Sequence, residues 1–362
     1  KGHKNFTFRV TDVHGVVPER NVIQTSIGEV AYDYLVLATG SDTNFFGQKQ
    51  IEHYTMPMKT IPEALNLRSM ILQNLEEALI ETDPVKKEGL LNFAVVGGGP
   101  TGVELSGALA ELKNHVLKKD YPELDISQVN IFLIEGSPVV LGPMSEEAQK
   151  KACDFLQEMG VIVMNNERVE NYDGERLFLG DGKIIHTENV LWSAGVKGEV
   201  LDGIPREKLA RGNRIQVDEI SRVKGYANIF AIGDVASMVT DDYPNGHPGV
   251  APAAMQQGKA LARNLLRIVR NESTEPFKYK DKGSMATVGR NKAVVDLSYI
   301  KFQGLFAWFV WMFVHLMSLV GFRNKVVTFV NWIWSYFSYD RGTRLIIRRF
   351  SRESMTEDTL SK

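Results

Sequence analysis

The chain is 362 residues long, carries a formal net charge of −2, and has one cysteine, Cys153. That length allows two domains and a sizeable core, and the near-neutral balance argues against a general attraction to nucleic acid. A single cysteine excludes an internal disulfide framework and an internal Cys-x-x-Cys redox pair, so a reducing compartment is expected. Cys153 falls in a helical-looking run over 146–159 and reads as a buried, inert thiol rather than a reactive one. The start, Lys1-Gly2-His3-Lys4, has no initiator Met and no apolar signal-peptide core follows it, so the true beginning is expected upstream.

In chain order, residues 6–10 and 21–24 predict short strands. The run Tyr32-Asp33-Tyr34-Leu35-Val36-Leu37-Ala38-Thr39-Gly40 predicts a strand buried on both faces, ending where backbone must come close to something. A linker-like stretch and an amphipathic helix over 62–81 follow. Residues 92–96 predict a second buried strand, then a glycine run and a helix over about 101–118; residues 130–135 predict a third strand. Residues 161–169, 176–179 and 183–186 look like an inserted meander. Two further buried strands, 189–194 and 228–232, end in Ala194-Gly195 and Gly233-Asp234, and a helix covers about 254–269. Strands alternating with helices and ending in small residues predict an α/β fold of doubly wound parallel sheets.

Beyond Tyr299 the composition shifts. Residues 305–322 are apolar on all sides, with His315 and Ser318 as the clearest polar interruptions, and 326–339 are aromatic-rich with a narrow polar stripe. An 18-residue apolar run sits at the lower edge of transmembrane length. Trp308, Trp311, Trp332, Trp334, Tyr336 and Tyr339 suit a headgroup zone, and Arg341, Arg344, Arg348, Arg349 and Arg352 suit anionic lipid. Interfacial attachment to a lipid bilayer surface is the favoured expectation, ahead of a span or a buried core or dimer helix. His315 reads as a packing residue rather than a quinone proton donor. Residues 353–362 read as a disordered tail.

The segment Val95-Val96-Gly97-Gly98-Gly99-Pro100-Thr101-Gly102-Val103-Glu104 fits G-x-G-x-x-G after a buried strand and at the opening of a helix. Gly97 allows the tight turn, Gly99 lets backbone approach a pyrophosphate, and Gly102 lets helix pack closely on strand. With Gly98, Pro100 and Thr101 they form the candidate dinucleotide loop, completed by the N–H groups and positive dipole end of the helix. Glu135, ending the next strand, is placed to accept from both ribose hydroxyls; it comes later than the usual ~20 residues because of an extended helix and a loop. A carboxylate there repels the extra phosphate of NADP, and no arginine immediately follows it, so NADH is the expected dinucleotide.

At these residues the chain resembles the type II NADH dehydrogenases, single-chain flavoenzymes that reduce membrane quinone. The likeness runs over essentially the whole chain, through Tyr34-Leu35-Val36-Leu37-Ala38-Thr39-Gly40-Ser41, the glycine loop, Leu191-Trp192-Ser193-Ala194-Gly195-Val196, Ile229-Phe230-Ala231-Ile232-Gly233-Asp234, residues 251–258, and Asp281-Lys282-Gly283-Ser284-Met285-Ala286. The resemblance implies a tandem Rossmann-like, two-dinucleotide flavoprotein fold with a membrane-associating helical C-terminus. It implies divisions at 1–60 (FAD domain, first part), 61–205 (NADH domain), 206–300 (return to the FAD domain), 301–352 (membrane segment) and 353–362 (tail). It implies FAD and NADH, a quinone partner, hydride transfer from NADH to FAD and two electrons onward without proton pumping, and residence at the cytoplasmic face of the inner membrane. A homodimer stays open.

By the same resemblance, Thr39 and Gly40 line the flavin site, Gly233 and Asp234 hold the ribityl or phosphate part of FAD, and Ala194 and Gly195 pass under the nicotinamide. An Asx turn is the alternative for Asp234. Glu104 lies near the flavin and nicotinamide rings and can relay protons, or is a helix-start carboxylate favoured by the dipole. Lys282 stabilises the reduced ring, or is a solvated turn lysine. Family members commonly have Ala-Gln at the quinone-facing edge; here Ala251 is followed by Pro252, leaving Ala251, Met255, Gln256 and Gln257 as candidates or as ordinary residues of a helix start. The family also opens with its own G-x-G-x-x-G for the FAD pyrophosphate. Nothing upstream of Tyr32 matches it, so weak FAD retention is expected. The rivals are a soluble flavin reductase of the ferredoxin-reductase type and a non-catalytic NADH-binding membrane protein.

Overall fold

The computed structural model describes residues 5–319, 321–338, 346 and 350. Its main elements are β1 (Leu35–Leu37), α1 (Ile61–Ile80), β2 (Asn92–Val96), α2 (Pro100–Glu111), β3 (Asn130–Glu135), α3 (Glu146–Glu158), β4 (Val161–Asn165) and β5 (Asn189–Trp192). Then come β6 (Ile229–Ala231), α4 (Ala251–Val269), β7 (Ser284–Gly289), β8 (Lys292–Asp296), α5 (Leu305–Ser318) and α6 (Phe322–Ser338). The chain divides into two compact units, one of residues 1–42 and 196–282, the other of 43–195 and 283–362.

In the second unit a five-stranded parallel sheet runs in the order Met56–Pro57, β5, β2, β3, β4. Every residue of β2 is buried, as a central parallel strand covered on both faces requires. Helix α1 starts at a capping box, Thr60 Oγ1 accepting from the Glu63 N–H at 3.4 Å and Glu63 Oε2 from the Thr60 N–H at 2.8 Å. Its Leu67, Met70, Ile71, Leu75 and Ala78 enter the core with Phe93, Val95, Leu109 and Phe155. Asparagines lock the strand starts: half-buried Asn130 donates to Oδ1 of the buried Asn92, and buried Asn189 to the carbonyls of Leu90 and Asn92. Behind α2, the antiparallel strands β7, β8 and Lys301–Gln303 form a second sheet.

The first unit contains a parallel pair, β1 with β6, an antiparallel sheet of Val13–Val17, Val22–Thr25 and Gly28–Ala31, and the parallel pair Arg214–Val217 with Ala236–Met238. Leu37, Ile215, Ile229, Val235 and Met238 share its core, and Ala260 of α4 packs against it.

Four sequence expectations are corrected. Residues 6–10 form no strand; Phe6, Phe8 and Val10 alternate correctly in sequence, yet no neighbour pairs with them among the described residues and all three are exposed. The strand expected over 32–40 shrinks to β1, which among the described residues pairs only with β6, and its faces differ: Leu37 is buried while Val36, on the opposite face, is 37% exposed. Residues 161–165 belong to the parallel sheet and not to the meander, which is confined to Val169–Tyr172, Arg176–Leu179 and Ile184–His186. The glycine-loop helix leaves α geometry after Glu111 for a π-helical stretch, Leu112–Leu117.

The aromatic C-terminus folds as two helices. The apolar run breaks at Leu319, whose ψ of 141° is extended, leaving α5 about 21 Å long at 1.5 Å per residue. Among the described residues no helix is long and apolar enough to cross a membrane. The run of five arginines and the tail lie outside the described residues.

Candidate functional site

The glycine loop joins β2 to α2. The Gly97 N–H donates to the Ile134 carbonyl at 2.8 Å and the Gly98 carbonyl accepts from the Leu141 N–H at 2.8 Å. A methyl group on Gly97, whose φ is +108°, would lie 2.7 Å from the Ala194 backbone; on Gly102 it would lie 1.8 Å from the Gly97 carbonyl oxygen. Those two glycines are steric necessities. Gly99 differs: a methyl there meets nothing within 4 Å. Its Cα faces open space at the start of α2, whose cap makes no side-chain hydrogen bond. Backbone N–H groups and the positive end of a helix dipole therefore border this open space, an arrangement whose chemistry suits an anion. Pro100 and Thr101 form the first turn, Pro100 occupying a position where a missing N–H costs nothing.

Glu135 reaches from the end of β3 over this loop. Its Oε2 accepts from the Gly98 N–H at 2.5 Å and its Oε1 from the Ser137 N–H at 2.6 Å. Two backbone donors aim the carboxylate before any ligand arrives. At the end of β5, Ser193 Oγ donates to the Val96 carbonyl at 2.9 Å, and the Ala194 backbone lies beside Gly97. Gly195 has a φ of +156°, and a methyl on it would come within 3.2 Å of the Phe46 ring. Phe46, missed in the sequence, is 60% exposed with a φ of +53°; a bulky side chain in that region is strained backbone of the kind that collects at functional sites. Its N–H donates to Asn44 Oδ1 at 2.9 Å.

In the first unit, Thr39-Gly40 and Gly233-Asp234 follow the paired strands β1 and β6. Thr39 Oγ1 donates to the Glu199 carbonyl, and Gly40, at φ +77°, accepts from the Glu199 N–H at 3.1 Å. Ser41 Oγ donates to Asp234 Oδ2 at 2.8 Å. A methyl on Gly249 would sit 3.3 Å from Asp234 Oδ1, so glycine there keeps space open beside the carboxylate. Gln257, buried in α4, accepts the Gly233 N–H through Oε1 at 2.7 Å and fixes the Asp234 turn. Gln256 clasps Lys280 through both its N–H and its carbonyl at 3.0 Å. Ala251 opens α4 and is exposed, as is Lys282, which precedes the positive-φ turn at Gly283.

Glu104 is half-buried on α2 and lines a cavity of about 310 Å³ with Glu111, Thr287, Arg290, Trp308, Trp311, Trp332 and Tyr336. Burial pushes its carboxyl up from the ordinary value, opposed by the Thr287 backbone and by the nearby charge of His315. His315, read in the sequence as a packing residue, stacks on Trp311 at 4.0 Å. The Trp311 indole N–H is buried with no partner among the described residues. Arg290 clasps the end of α6, donating to the Tyr336 carbonyl at 2.9 Å and the Ser335 carbonyl at 3.2 Å, while its own N–H donates to Glu111. Gly107 was also missed. A methyl there would lie 1.5 Å from the Val288 carbonyl oxygen, so α2 and β7 touch backbone to backbone. A glycine inside a helical pattern was the available signal.

A profile of the pyridine nucleotide-disulphide oxidoreductase family matches residues 3–258, and one of the NDH2 C-terminal domain matches residues 282–338. A type II NADH:quinone oxidoreductase of Mycobacterium tuberculosis is 36% identical over 325 residues, which cover 87% of this chain and 69% of that one. This chain belongs to the type II NADH:quinone oxidoreductase family. An internal alternative NAD(P)H-ubiquinone oxidoreductase of Arabidopsis thaliana is 31% identical, over 85% of this chain and 63% of its own. The fold is that of the NDH2 structure from Plasmodium falciparum in complex with NADH, with a TM-score of 0.84 at 22% identity, covering 93% of this chain and 85% of that one.

Proposed function

We propose that this chain oxidises NADH and delivers the two electrons, by way of FAD, to a quinone held in a lipid bilayer. The observation that carries the NADH half is Gly99, open to space at the N-terminus of α2 while Gly97 and Gly102 admit no side chain and Glu135 is aimed by two N–H donors. The loop from Gly97 to Gly102 binds the diphosphate, Glu135 the adenosine ribose, and Ala194 and Gly195 leave room for the nicotinamide.

FAD, when bound, supplies the two-electron redox chemistry between NADH and quinone. The first unit fits it: Thr39, Gly40, Ser41 and Asp234 present polar groups, and Gly249 keeps space beside the carboxylate. Gln257 positions Asp234, while Gln256 and Ala251 belong to the same helix start. Lys282 supplies an exposed positive charge on that side. Glu104, whose pKa burial raises, lines the α2–α5–α6 cavity and is the group that can pass a proton to a reduced quinone oxygen there.

The C-terminal helices supply the membrane contact. Phe306, Phe313, Phe322, Val330 and Trp334 are all exposed, an apolar surface that a bilayer interface covers. We place the chain as a peripheral protein on the cytoplasmic face; pairing of two copies competes with lipid for the same surface.

The test is NADH oxidation with a short-chain quinone, with and without added FAD, alongside flotation with liposomes. Expected are NADH-dependent quinone reduction and co-flotation. Bound NADH without turnover, even with FAD added, reduces the chain to a binding protein. Turnover without flotation points to the soluble reductase.

A further inference from the structure

No arginine follows Glu135 in the sequence, but the fold brings one there. The sheet register pairs Glu135 with Asn165. The chain then turns at Asn166, whose φ is +59°. Asn166 donates its N–H to the Ser137 carbonyl at 3.0 Å, Glu167 to the Glu135 carbonyl at 3.0 Å, and the Arg168 carbonyl accepts from the Gly180 N–H at 2.9 Å. The backbone at 165–168 is thereby strapped across the exit of β3. Arg168 is left lying over Gly136: a methyl on that glycine would be 3.4 Å from Arg168 Cγ and 3.8 Å from Nε. The Arg168 side chain is exposed and makes no hydrogen bond or ion pair among the described residues.

The residues just past the second Rossmann strand face the 2′ position of the adenosine ribose, where a carboxylate selects the hydroxyl of NADH and a nearby arginine accommodates the phosphate of NADPH. Here both are present. We propose that Arg168 is a second determinant of dinucleotide selectivity: a guanidinium beside the 2′ position whose attraction for a 2′-phosphate is held in check by the Glu135 carboxylate. The assignment rests on reading the glycine loop as the dinucleotide site. Glu135 accepts from two backbone N–H groups and so stays in place whether or not a phosphate is offered. Removing its charge leaves Arg168 to act unopposed.

Calorimetric titration with ADP-ribose and with 2′-phospho-ADP-ribose tests this independently of FAD and of turnover. The protein, R168A, E135Q, E135Q/R168A and E135Q/R168K are compared. The unaltered protein should prefer ADP-ribose. E135Q should bind the 2′-phospho ligand about 10- to 100-fold more tightly, the range of one charge-assisted hydrogen bond. Adding R168A should abolish that gain, and R168K should restore part of it, because lysine offers a point charge without the fork. R168A alone should leave ADP-ribose affinity within about threefold, as expected of an exposed group outside its contacts. Equal binding of the 2′-phospho ligand by E135Q and E135Q/R168A overturns the role of Arg168 and leaves the dinucleotide site standing. Failure of the unaltered protein to bind ADP-ribose overturns both.

Discussion

Replacing Gly99 and Gly102 separately by alanine should divide binding from folding within one loop. At Gly102 the new methyl lands 1.8 Å from the Gly97 carbonyl oxygen and 2.9 Å from Ser193 Oγ. Both are held, one by the turn and the other by its hydrogen bond to the Val96 carbonyl, so α2 must lift off the sheet. Overpacking of this kind costs ~1–3 kcal/mol, and a backbone obstacle puts it at the upper end. Alanine returns ~1 kcal/mol of helix propensity, leaving a net loss of about 2 kcal/mol. At Gly99 the methyl meets nothing within 4 Å, and φ −70°, ψ −178° is backbone that any residue adopts. Folding should be unaffected within ~0.5 kcal/mol. The methyl instead occupies the space where a diphosphate contacts the loop, and one charge-assisted hydrogen bond lost there is worth ~1.5–3 kcal/mol, or roughly 10- to 100-fold in affinity. Urea denaturation reads the stability and calorimetry with ADP-ribose reads the binding. If G99A binds like the parent, or loses as much stability as G102A, the assignment of the loop is wrong.

Three more outcomes follow from the same geometry. Burial raises the folded-state pKa of Glu104, so its contribution to stability is full below the unfolded value and lost as pH rises through the raised one; Glu104→Gln should melt higher than the parent at neutral pH, with the difference closing toward about pH 4, and a pH-independent difference would count against it. His247 is buried among Tyr243, Phe277 and Tyr279, and burial, followed by the charge of Arg214, lowers its pKa. Its contribution is therefore present above the ordinary histidine value and lost as pH falls through the lowered one, and His247→Phe should flatten the acid limb of the melting profile. Phe313 and Trp334 are 63% and 69% exposed; changing both to Glu should forfeit ~1.5–3 kcal/mol of interfacial burial each and abolish liposome flotation while the far-ultraviolet spectrum stays unchanged.

Much of the second unit was readable in the residue pattern. The run Phe93-Ala94-Val95-Val96 has no polar interruption, and the glycines after it have one economical meaning, so the strand, turn and helix follow from local physics. Glu135 was placed correctly at the end of β3 because a strand of that length ends where its apolar run ends. The pattern misled where pairing decides the state. Residues 6–10 alternate like a strand, but alternation cannot supply a neighbour. Residues 161–165 resemble the meander that follows them, and only the register with β3 shows that they close the parallel sheet. The break at Leu319 likewise left no mark in the apolar run, and in the structure α5 packs on β7 and β8 while the end of α6 is held by Arg290 in the turn between them.

What the sequence by itself determined is the glycine turn between β2 and α2: glycine is required at Gly97 and Gly102 because backbone atoms occupy the space of any side chain, and such a need leaves a mark in the residues. Only the tertiary structure decided which distant groups gather around that turn. Arg168 reaches the exit of β3 through sheet register, Phe46 comes to Gly195 through a strained backbone turn, and Arg290, Trp311 and Glu104 gather around one cavity through helix packing. Those neighbours lie far apart along the chain, and long-range contacts are set by how cores close, which no local pattern encodes.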